Sequence, residues 1–197
     1  MDIKIKLCND VSRTQEFIEF INKVYGETRK DFIGFKPDGS QYVYNDYFTN
    51  KNQIRDSIMN NEFYIAEVYG KLAGCIRIVE YRAPDSSIHS KIDYQTLAVG
   101  SDFRGKGIGR KLVDFAERFA IKKGYLEIEC DTFMFEKNVE GKETYKKHVE
   151  FCQNWYEKMG YEVVKTYALV DHPRYSVFSD KFQPGIIAVY FKKLLNK

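Results

Sequence analysis

The feature that most constrains the fold of this 197-residue chain is a glycine-dense basic turn in "LAVGSDFRGKGIGRKL", residues 97–112. Gly105, Gly107 and Gly109 stand at alternate positions there. Glycine loses backbone entropy on folding and weakens the start of a helix, so three of them need a physical reason. The apolar residues before the turn predict a strand, and the spacing after it predicts a helix. Such a junction presents unpaired amides at the positive end of a helix dipole, which predicts an anion site suited to phosphate.

Periodicity elsewhere predicts a mixed α/β chain. Strands are predicted at 3–7, 63–69, 72–81, 92–99, 125–130, 161–170 and 185–191. Helices are predicted at 11–24, with Ser12 as N-cap, from the glycine turn to Gly124, and at 142–159. Residues 28–50 carry turn residues and predict a long loop or short irregular elements, and the order of elements leaves an irregular stretch or a helix open before the strand at 63–69. Three consecutive strands without helices disfavour a doubly wound parallel sheet. We therefore predict a mixed, largely antiparallel sheet of about seven strands flanked by helices, in a single domain over residues 1–197.

Composition and charge exclude several classes of protein. Lysine and arginine total 31 against 28 aspartates and glutamates, which is too balanced to indicate a nucleic-acid-binding face. No stretch approaches the ~20 apolar residues of a membrane span, and no apolar run resembles a signal peptide. The scattered cysteines form no C-x-x-C pair and share no ligand spacing with the histidines. We expect a reduced, cytoplasmic protein without a metal, whose partners include neither nucleic acid nor a membrane.

Two phosphate-binding motifs match the turn only in part. Residues 100–106 match G-x-x-x-x-G-K, but Gly107 replaces the serine or threonine through which a P-loop holds magnesium. Gly105 and Gly107 fit the dinucleotide fingerprint G-x-G-x-x-G, but its third glycine is replaced by the bulky Arg110. A tight strand-to-helix turn without a ligand is a further alternative, although one glycine would suffice for it.

The glycine turn and a later segment resemble the GNAT superfamily of acyl-CoA-dependent N-acetyltransferases. Members carry Q/R-x-x-G-x-G/A between the fourth strand and the third helix, and Arg-Gly-Lys-Gly-Ile-Gly at residues 104–109 matches it. "WYEKMGYEVV", residues 155–164, resembles the later family segment F/W-Y-E-K-x-G-F/Y. The resemblance covers residues 62–194 and agrees with the predicted order of elements. It implies a GNAT-like acyl-CoA N-acyltransferase fold.

The resemblance implies that acetyl-CoA is the cosubstrate. Its pantetheine arm is expected between the strands 92–99 and 125–130, paired with the backbone at the end of the first. Its diphosphate is expected on the glycine turn. Basic side chains there either meet the other phosphate of the nucleotide or form a solvated helix face. The cofactor-binding residues so implied are Leu97, Ala98, Val99, Arg104, Gly105, Lys106, Gly107, Ile108, Gly109 and Arg110.

The resemblance also implies two catalytic residues for direct transfer of the acetyl group to a primary amine. An alkyl amine is mostly charged at pH 7, so a base must remove a proton. Asp93 stands where several members place a catalytic glutamate, and alternation predicts that it shares a strand face with Gln95 and Leu97. The alternative is a strand-end carboxylate in a salt bridge or in solvent. Tyr156 matches the family tyrosine that donates a proton to the departing thiolate.

Several alternatives stay open at this point. Glu129 and Asp131 are alternative bases, or groups that attract a cationic acceptor. Many relatives carry an asparagine two helical turns before the tyrosine, where this chain has Val149. A non-catalytic acyl-CoA-binding or regulatory module of the same fold is therefore the alternative function. The amine acceptor, a small molecule or a peptide, and the formation of a homodimer are also left open. Acceptor choice is expected to lie in residues 26–50, 131–148 and 171–184, and the first of these holds aromatics that either line a pocket or cover the sheet: Phe32, Phe35, Tyr42, Tyr44, Tyr47 and Phe48.

Overall fold

The structure, a computed structural model, describes residues 2–29, 34, 36–40, 51–81, 91–135, 151–172, 181–182 and 185–195. The strands are β1 (Ile3–Leu7), β2 (Phe63–Val68), β3 (Lys71–Tyr81), β4 (Lys91–Val99), β5 (Glu127–Phe135), β6 (Glu162–Ala168) and β7 (Ile186–Leu194). The helices are α1 (Thr14–Arg29), α2 (Lys51–Met59), α3 (Ile108–Lys123) and α4, of which residues 151–157 are described.

All seven strands belong to one sheet in the order β1-β2-β3-β4-β5-β7-β6. The pairs β1–β2, β2–β3, β3–β4 and β6–β7 are antiparallel. The predicted class, a mixed and largely antiparallel sheet flanked by helices, is confirmed. The sheet carries the strands in every region where periodicity of two predicted them, because alternation of side chains is a local property of an extended chain.

Two local predictions are wrong, and one open alternative is decided. The prediction of Ser12 as N-cap fails because residues Val11–Arg13 form a 3-10 turn whose cap is Asp10, and α1 begins only at Thr14. Of the irregular stretch or helix left open before β2, the structure has the helix, α2, in which only Ile54, Ser57 and Ile58 of nine residues are buried. The strand β5 extends to Phe135, well beyond the predicted end at residue 130.

The chain packs as two compact units. The first comprises Met1–Lys30, Val43–Ile128 and Leu195–Lys197, and the second comprises Asp31–Tyr42 and Glu129–Leu194. A single domain over residues 1–197 stays a prediction. The expected helical stretch 142–150 and the aromatics of residues 41–50, with Phe32 and Phe35, lie outside the described residues.

The first unit has a separate layer of side chains on each face of its strands. On one face, residues of β2, β3 and β4 form a single buried cluster with α1 and α2, which includes Phe17, Ile21, Ile58, Phe63, Ile65, Cys75 and Ala98. On the other face Tyr64 of β2 packs on α3, with its ring 4.8 Å from that of Phe115. Burial of each large apolar side chain contributes about 1.5–3 kcal/mol relative to exposure.

The second unit is held by aromatic packing between α4 and β7. The Tyr156 ring stacks on that of Phe191 with the centroids 4.5 Å apart. Beyond α4 the chain turns at Gly160, whose φ of 84° suits glycine, and the amides of Met159 and Tyr161 both donate to the Tyr156 carbonyl. No helix in the described part of the chain is long and apolar enough to span a membrane.

Candidate acyl-CoA site

The strand β4 is irregular just before the glycine turn. Gln95 pairs with Arg77 and Ala98 pairs with Cys75, so two residues of β4, Thr96 and Leu97, stand against one residue of β3. This extra residue is a β-bulge, and Thr96 has a φ of 53°, which is uncommon for a residue other than glycine. A bulge ends regular pairing and redirects backbone groups. The backbone expected to hold the pantetheine arm therefore lies at an irregularity of the strand.

The bulge corrects one prediction about the face of β4. Simple alternation placed Leu97 on the face of Asp93 and Gln95. The observed register places Ala98 there instead, since Gln95 and Ala98 pair with Arg77 and Cys75, two residues apart on β3. An inserted residue shifts the alternation by one and exchanges the faces beyond it.

The position of α3 depends on Gly74, in the middle of β3. A Cβ atom added at Gly74 would lie 2.9 Å from the Ala98 carbonyl oxygen and 3.1–3.2 Å from side-chain atoms of Ile108 and Leu112. The first turn of α3 thus lies directly on the strands because this residue has no side chain. An isolated glycine inside a strand pattern is the sequence signal for such close approach, and it was overlooked.

The glycine turn has the conformation that its composition suggested. After a short 3-10 turn at Ser101–Phe103, Gly105 and Gly107 adopt φ of 72° and 77°, in the left-handed region. Gly107 is the N-cap of α3 and makes no side-chain cap. The amide of Lys111 is the first to bond a carbonyl four residues back, that of Gly107, at 3.0 Å. Within the described residues no backbone carbonyl accepts from Ile108, Gly109 or Arg110, so their amides are available to an anion.

The turn also offers room for a ligand. At Gly105 and Gly107 no described atom lies within 4 Å of the place that a Cβ would occupy. Donors at a helix N-terminus, the positive dipole end and an absence of side-chain bulk together fit the diphosphate of coenzyme A.

Three basic side chains of the turn have partners within the first unit. Arg104 donates to the Val99 carbonyl at 3.2 Å and to Glu27 of α1 at 3.0 Å. Lys106 Nζ donates to the Asp102 carbonyl at 2.7 Å. Arg110 pairs with Asp114 one helical turn later, at 2.7 Å. Arg104 thereby ties the turn to the end of β4 and to α1, a role that the sequence did not indicate.

Asp93 is buried, with 4% of its surface exposed, on the face that α1 and α2 cover. Its Oδ2 accepts a hydrogen bond from the Gln95 side-chain amide at 2.9 Å. Gln95 Oε1 in turn accepts from Arg77 at 3.2 Å, and Arg77 forms a salt bridge with Glu62 at 2.7 Å. The alternative to a catalytic base was a strand-end carboxylate, either in a salt bridge or in solvent. The buried position of Asp93 excludes the carboxylate in solvent.

Tyr156 lies in the second unit and is 7% exposed. Besides stacking on Phe191, its ring meets those of Trp155 and Tyr161 edge to face, with centroids 5.1 and 5.8 Å away. Such packing fixes the ring in one orientation. The catalytic roles of Tyr156 and Asp93 stay predictions. The contacts of the ten predicted cofactor-binding residues with acetyl-CoA stay predictions as well.

The cysteines behave as small apolar residues. All four are free thiols, and Cys8, Cys75 and Cys130 are buried. Burial raises the pKa of the Cys75 thiol to about 12, so this group is not a nucleophile at neutral pH. The described residues include no cluster of three histidine, cysteine or carboxylate side chains that could hold a metal ion.

The known proteins that are similar to this chain include acetyltransferases. An uncharacterized N-acetyltransferase of Chlorobaculum tepidum is 37% identical over 67 residues, which are 34% of this chain. The aligned part spans 39% of that relative's length. Among solved structures, mosquito arylalkylamine N-acetyltransferase like 5b superposes with a TM-score of 0.67 at 15% identity, over 98% of this chain and 100% of that one.

A second solved structure, that of yncA from Salmonella typhimurium with its cofactor acetyl-CoA, has a TM-score of 0.62 at 13% identity, over 100% of this chain and 96% of that one. The profile of the acetyltransferase (GNAT) domain matches residues 59–163, just over half of the chain, and spans both the bulged strand and the glycine turn. The chain belongs to the GNAT family of acetyltransferases.

Proposed function

We propose that the protein transfers an acetyl group from acetyl-CoA to a primary amine by direct transfer. The observation that carries the proposal is the start of α3, where Gly105 and Gly107 have left-handed φ values and the next amides have no backbone acceptor in the described chain. Bound acetyl-CoA supplies an acetyl group activated as a thioester. The glycine turn would hold the diphosphate, and the end of β4 at the bulge would bind the pantetheine arm.

Asp93 is proposed to remove the proton that a protonated amine must lose. It is buried on the face of β4 opposite α3, so solvent does not compete strongly for its oxygens. A carboxylate held as a hydrogen-bond acceptor is suited to general-base work, directly or through one water molecule. Asp93 in turn would favour acceptors that arrive as cations, because its charge lies in a medium of low dielectric.

Tyr156 is proposed to donate a proton to the departing sulfur. A phenol is protonated at neutral pH and can donate from a fixed position. Its aromatic neighbours support this role, since they hold the ring in one orientation and so fix the position of the hydroxyl oxygen.

The acceptor is proposed to be an amine of low molecular weight. This choice is carried over from the arylalkylamine N-acetyltransferase that superposes with a TM-score of 0.67, and the panel of amines tests it because a shared fold does not by itself fix the substrate. A peptide amine is the other acceptor class to include in the screen.

The test measures release of coenzyme A over a panel of arylalkylamines, polyamines, amino acids and peptides. We expect turnover with at least one amine, and thermal stabilisation by acetyl-CoA. Tyr156→Phe should lower kcat by roughly 100-fold, and Asp93→Asn by a similar factor, with the Kd for acetyl-CoA unchanged. Tyr161→Phe is the matched control, because it removes a hydroxyl from the same aromatic group and should leave kcat intact.

Two outcomes would contradict the proposal in different ways. If the protein shows no turnover and no stabilisation by acetyl-CoA, both the proposed acetyl donor and the proposed reaction are wrong. If acetyl-CoA stabilises the protein without turnover, and stabilises Tyr156→Phe and Asp93→Asn equally well, the result would instead support a non-catalytic acyl-CoA-binding module. Loss of activity in Glu129→Gln or Asp131→Asn, but not in Asp93→Asn, would move the base to β5.

A further inference from the structure

A line of polar side chains in the first unit runs from Glu62, just before β2, through Arg77 of β3 and Gln95 of β4 to Asp93. Two nitrogens of Arg77, Nε and Nη2, contact Glu62 Oε2 at 2.8 and 2.7 Å. Nη1 of the same guanidinium donates to Gln95 Oε1 at 3.2 Å, and Gln95 Nε2 donates to Asp93 Oδ2 at 2.9 Å. Glu62 and Arg77 are mostly buried, with 19% and 15% of their side chains exposed. The line is thus shielded over most of its length.

This line has a direction that follows from the donor inventory. A guanidinium has only donors, so Arg77 can bond only the oxygen end of the Gln95 amide. The amino end of Gln95 then necessarily points along the strand toward Asp93. An amide that could turn over would present its oxygen to Asp93 instead, and that arrangement is satisfied only when Asp93 carries a proton.

We propose that Arg77 and Gln95 are positioning residues that hold Asp93 as an ionised acceptor facing the amine. The proposal rests on the proposed function, in which Asp93 takes a proton from the amine. Hydrogen bonds donated to a carboxylate favour its charged form. Glu62 completes the arrangement, because it fixes the guanidinium in one orientation and balances its charge.

The electrostatic setting of Asp93 follows from the register. Arg77 lies beside Gln95 on β3, Glu62 lies at the entry to β2, and Lys91 lies on the same face of β4 by alternation, two residues before Asp93. These are charged groups that the register of β2, β3 and β4 places on this face near Asp93. The charges of Glu62 and Arg77 cancel each other. The orientation of the Gln95 side-chain amide is therefore the influence on Asp93 that a substitution at position 95 can change.

Gln95→Glu is the decisive variant. It keeps the length of the side chain and its acceptor for Arg77, so a merely structural role would be preserved. It also replaces the donor that faces Asp93 with a second carboxylate, and two adjacent carboxylates cannot both ionise easily. Gln95→Met removes the donor without adding charge. We expect the titration midpoint of the Asp93 carboxyl to rise by roughly 1 pH unit in Gln95→Met and by more in Gln95→Glu.

The midpoint is read directly from the ¹³C shift of the Asp93 side-chain carboxyl, assigned by its loss in Asp93→Asn. The acidic limb of the pH profile of kcat/KM should move to higher pH by the same amount, with activity restored at high pH. The double variant Arg77→Met/Glu62→Met should give a smaller rise. Its matched control is Arg13→Met/Glu16→Met, which removes another two-point arginine–glutamate pair, at 2.7 and 2.9 Å, far along the sequence from Asp93.

An unchanged carboxyl midpoint in folded Gln95→Glu and Gln95→Met would overturn the proposal, whether or not the protein turns over an amine. An equal shift in the Arg13→Met/Glu16→Met control would overturn it as well, since the effect would not be specific to the line. A shifted midpoint in a protein that acetylates nothing would contradict the proposed function and leave the positioning of Asp93 intact.

Discussion

Two helix starts in the first unit are built in opposite ways. Before α1, Asp10 accepts the amide and the hydroxyl of Ser12 at 2.9 and 2.7 Å, so the chain supplies its own carboxylate. Before α3, the equivalent place is Gly107, which has no side chain, and the next amides wait for an acceptor. A chain able to cap one helix with a carboxylate could do the same at another. The contrast supports the proposal that the start of α3 receives an anion from outside the chain.

The largest effect is expected when the second start is made to resemble the first. Gly107→Asp places a carboxylate over the amides of α3 and repels a diphosphate. We expect the Kd for acetyl-CoA to rise roughly 100-fold, about 2.7 kcal/mol, as measured by isothermal titration calorimetry. Gly160→Asp is the matched control, because it adds the same charge at a glycine of similar φ, 84°, at the end of α4. An unchanged Kd in Gly107→Asp would break the comparison.

A smaller loss of affinity should follow from Gly109→Ala. Gly109 lies inside α3 and is not among the glycines with positive φ, so its backbone conformation suits alanine. Alanine is favoured over glycine in a helix by up to about 1 kcal/mol, so we expect equal or higher stability to urea. The added methyl group should nevertheless weaken acetyl-CoA binding about tenfold, or 1.4 kcal/mol. Unchanged affinity would leave this third glycine without a functional reason.

Gly105→Ala tests the conformation of the turn itself. With φ at 72°, an added Cβ costs about 1 kcal/mol even though no described atom lies within 4 Å. We expect the free energy of unfolding to fall by that amount. Gly26→Ala, in the helix α1 and equally free of close neighbours, should change stability in the opposite direction. Two changes of the same sign would mean that φ does not govern the turn.

The smallest effect concerns the capped start. Hydrogen bonds from Ser12, first from its side chain and then from its amide, lower the pKa of Asp10 below its ordinary value. A carboxyl with a lower pKa in the folded state adds stability above its unfolded pKa of about 3.9, and this stability is lost as pH falls through the folded value. Asp10→Asn should abolish that acid-side loss in thermal melts between pH 5 and 2. Ser12→Ala should reproduce part of it.

The same contrast explains how much could be predicted from the sequence. The class of sheet, its strands and the helix after the turn follow from periodicity, which is local. The glycine motif predicted the open start of α3, because positive φ demands glycine at Gly105 and Gly107. Ser12 was mistaken for the cap because Asp10 and Ser12 are equally good capping residues, and only the hydrogen bond decides between them.

What the sequence did not reveal depends on register between strands. The bulge at Thr96 changes which face Leu97 occupies, and no local pattern marks it because threonine is an ordinary strand residue. The line from Glu62 through Arg77 to Gln95 joins residues up to 33 positions apart in sequence. Such pairs meet only once β2, β3 and β4 are aligned. The sequence leaves α2 undecided between a helix and an irregular stretch, because three buried positions give too short a pattern to distinguish them.

Gly74 has a consequence for anyone who redesigns this protein. The missing side chain sets the height of α3 above the strands, since a single methyl group would collide with the Ala98 carbonyl oxygen and crowd the side chains of Ile108 and Leu112. The distance between the strands and the N-terminus of α3 thus depends on one residue that no ligand needs to contact. Altering that position would shift the glycine turn, the proposed anion site, while every residue of the turn stayed the same.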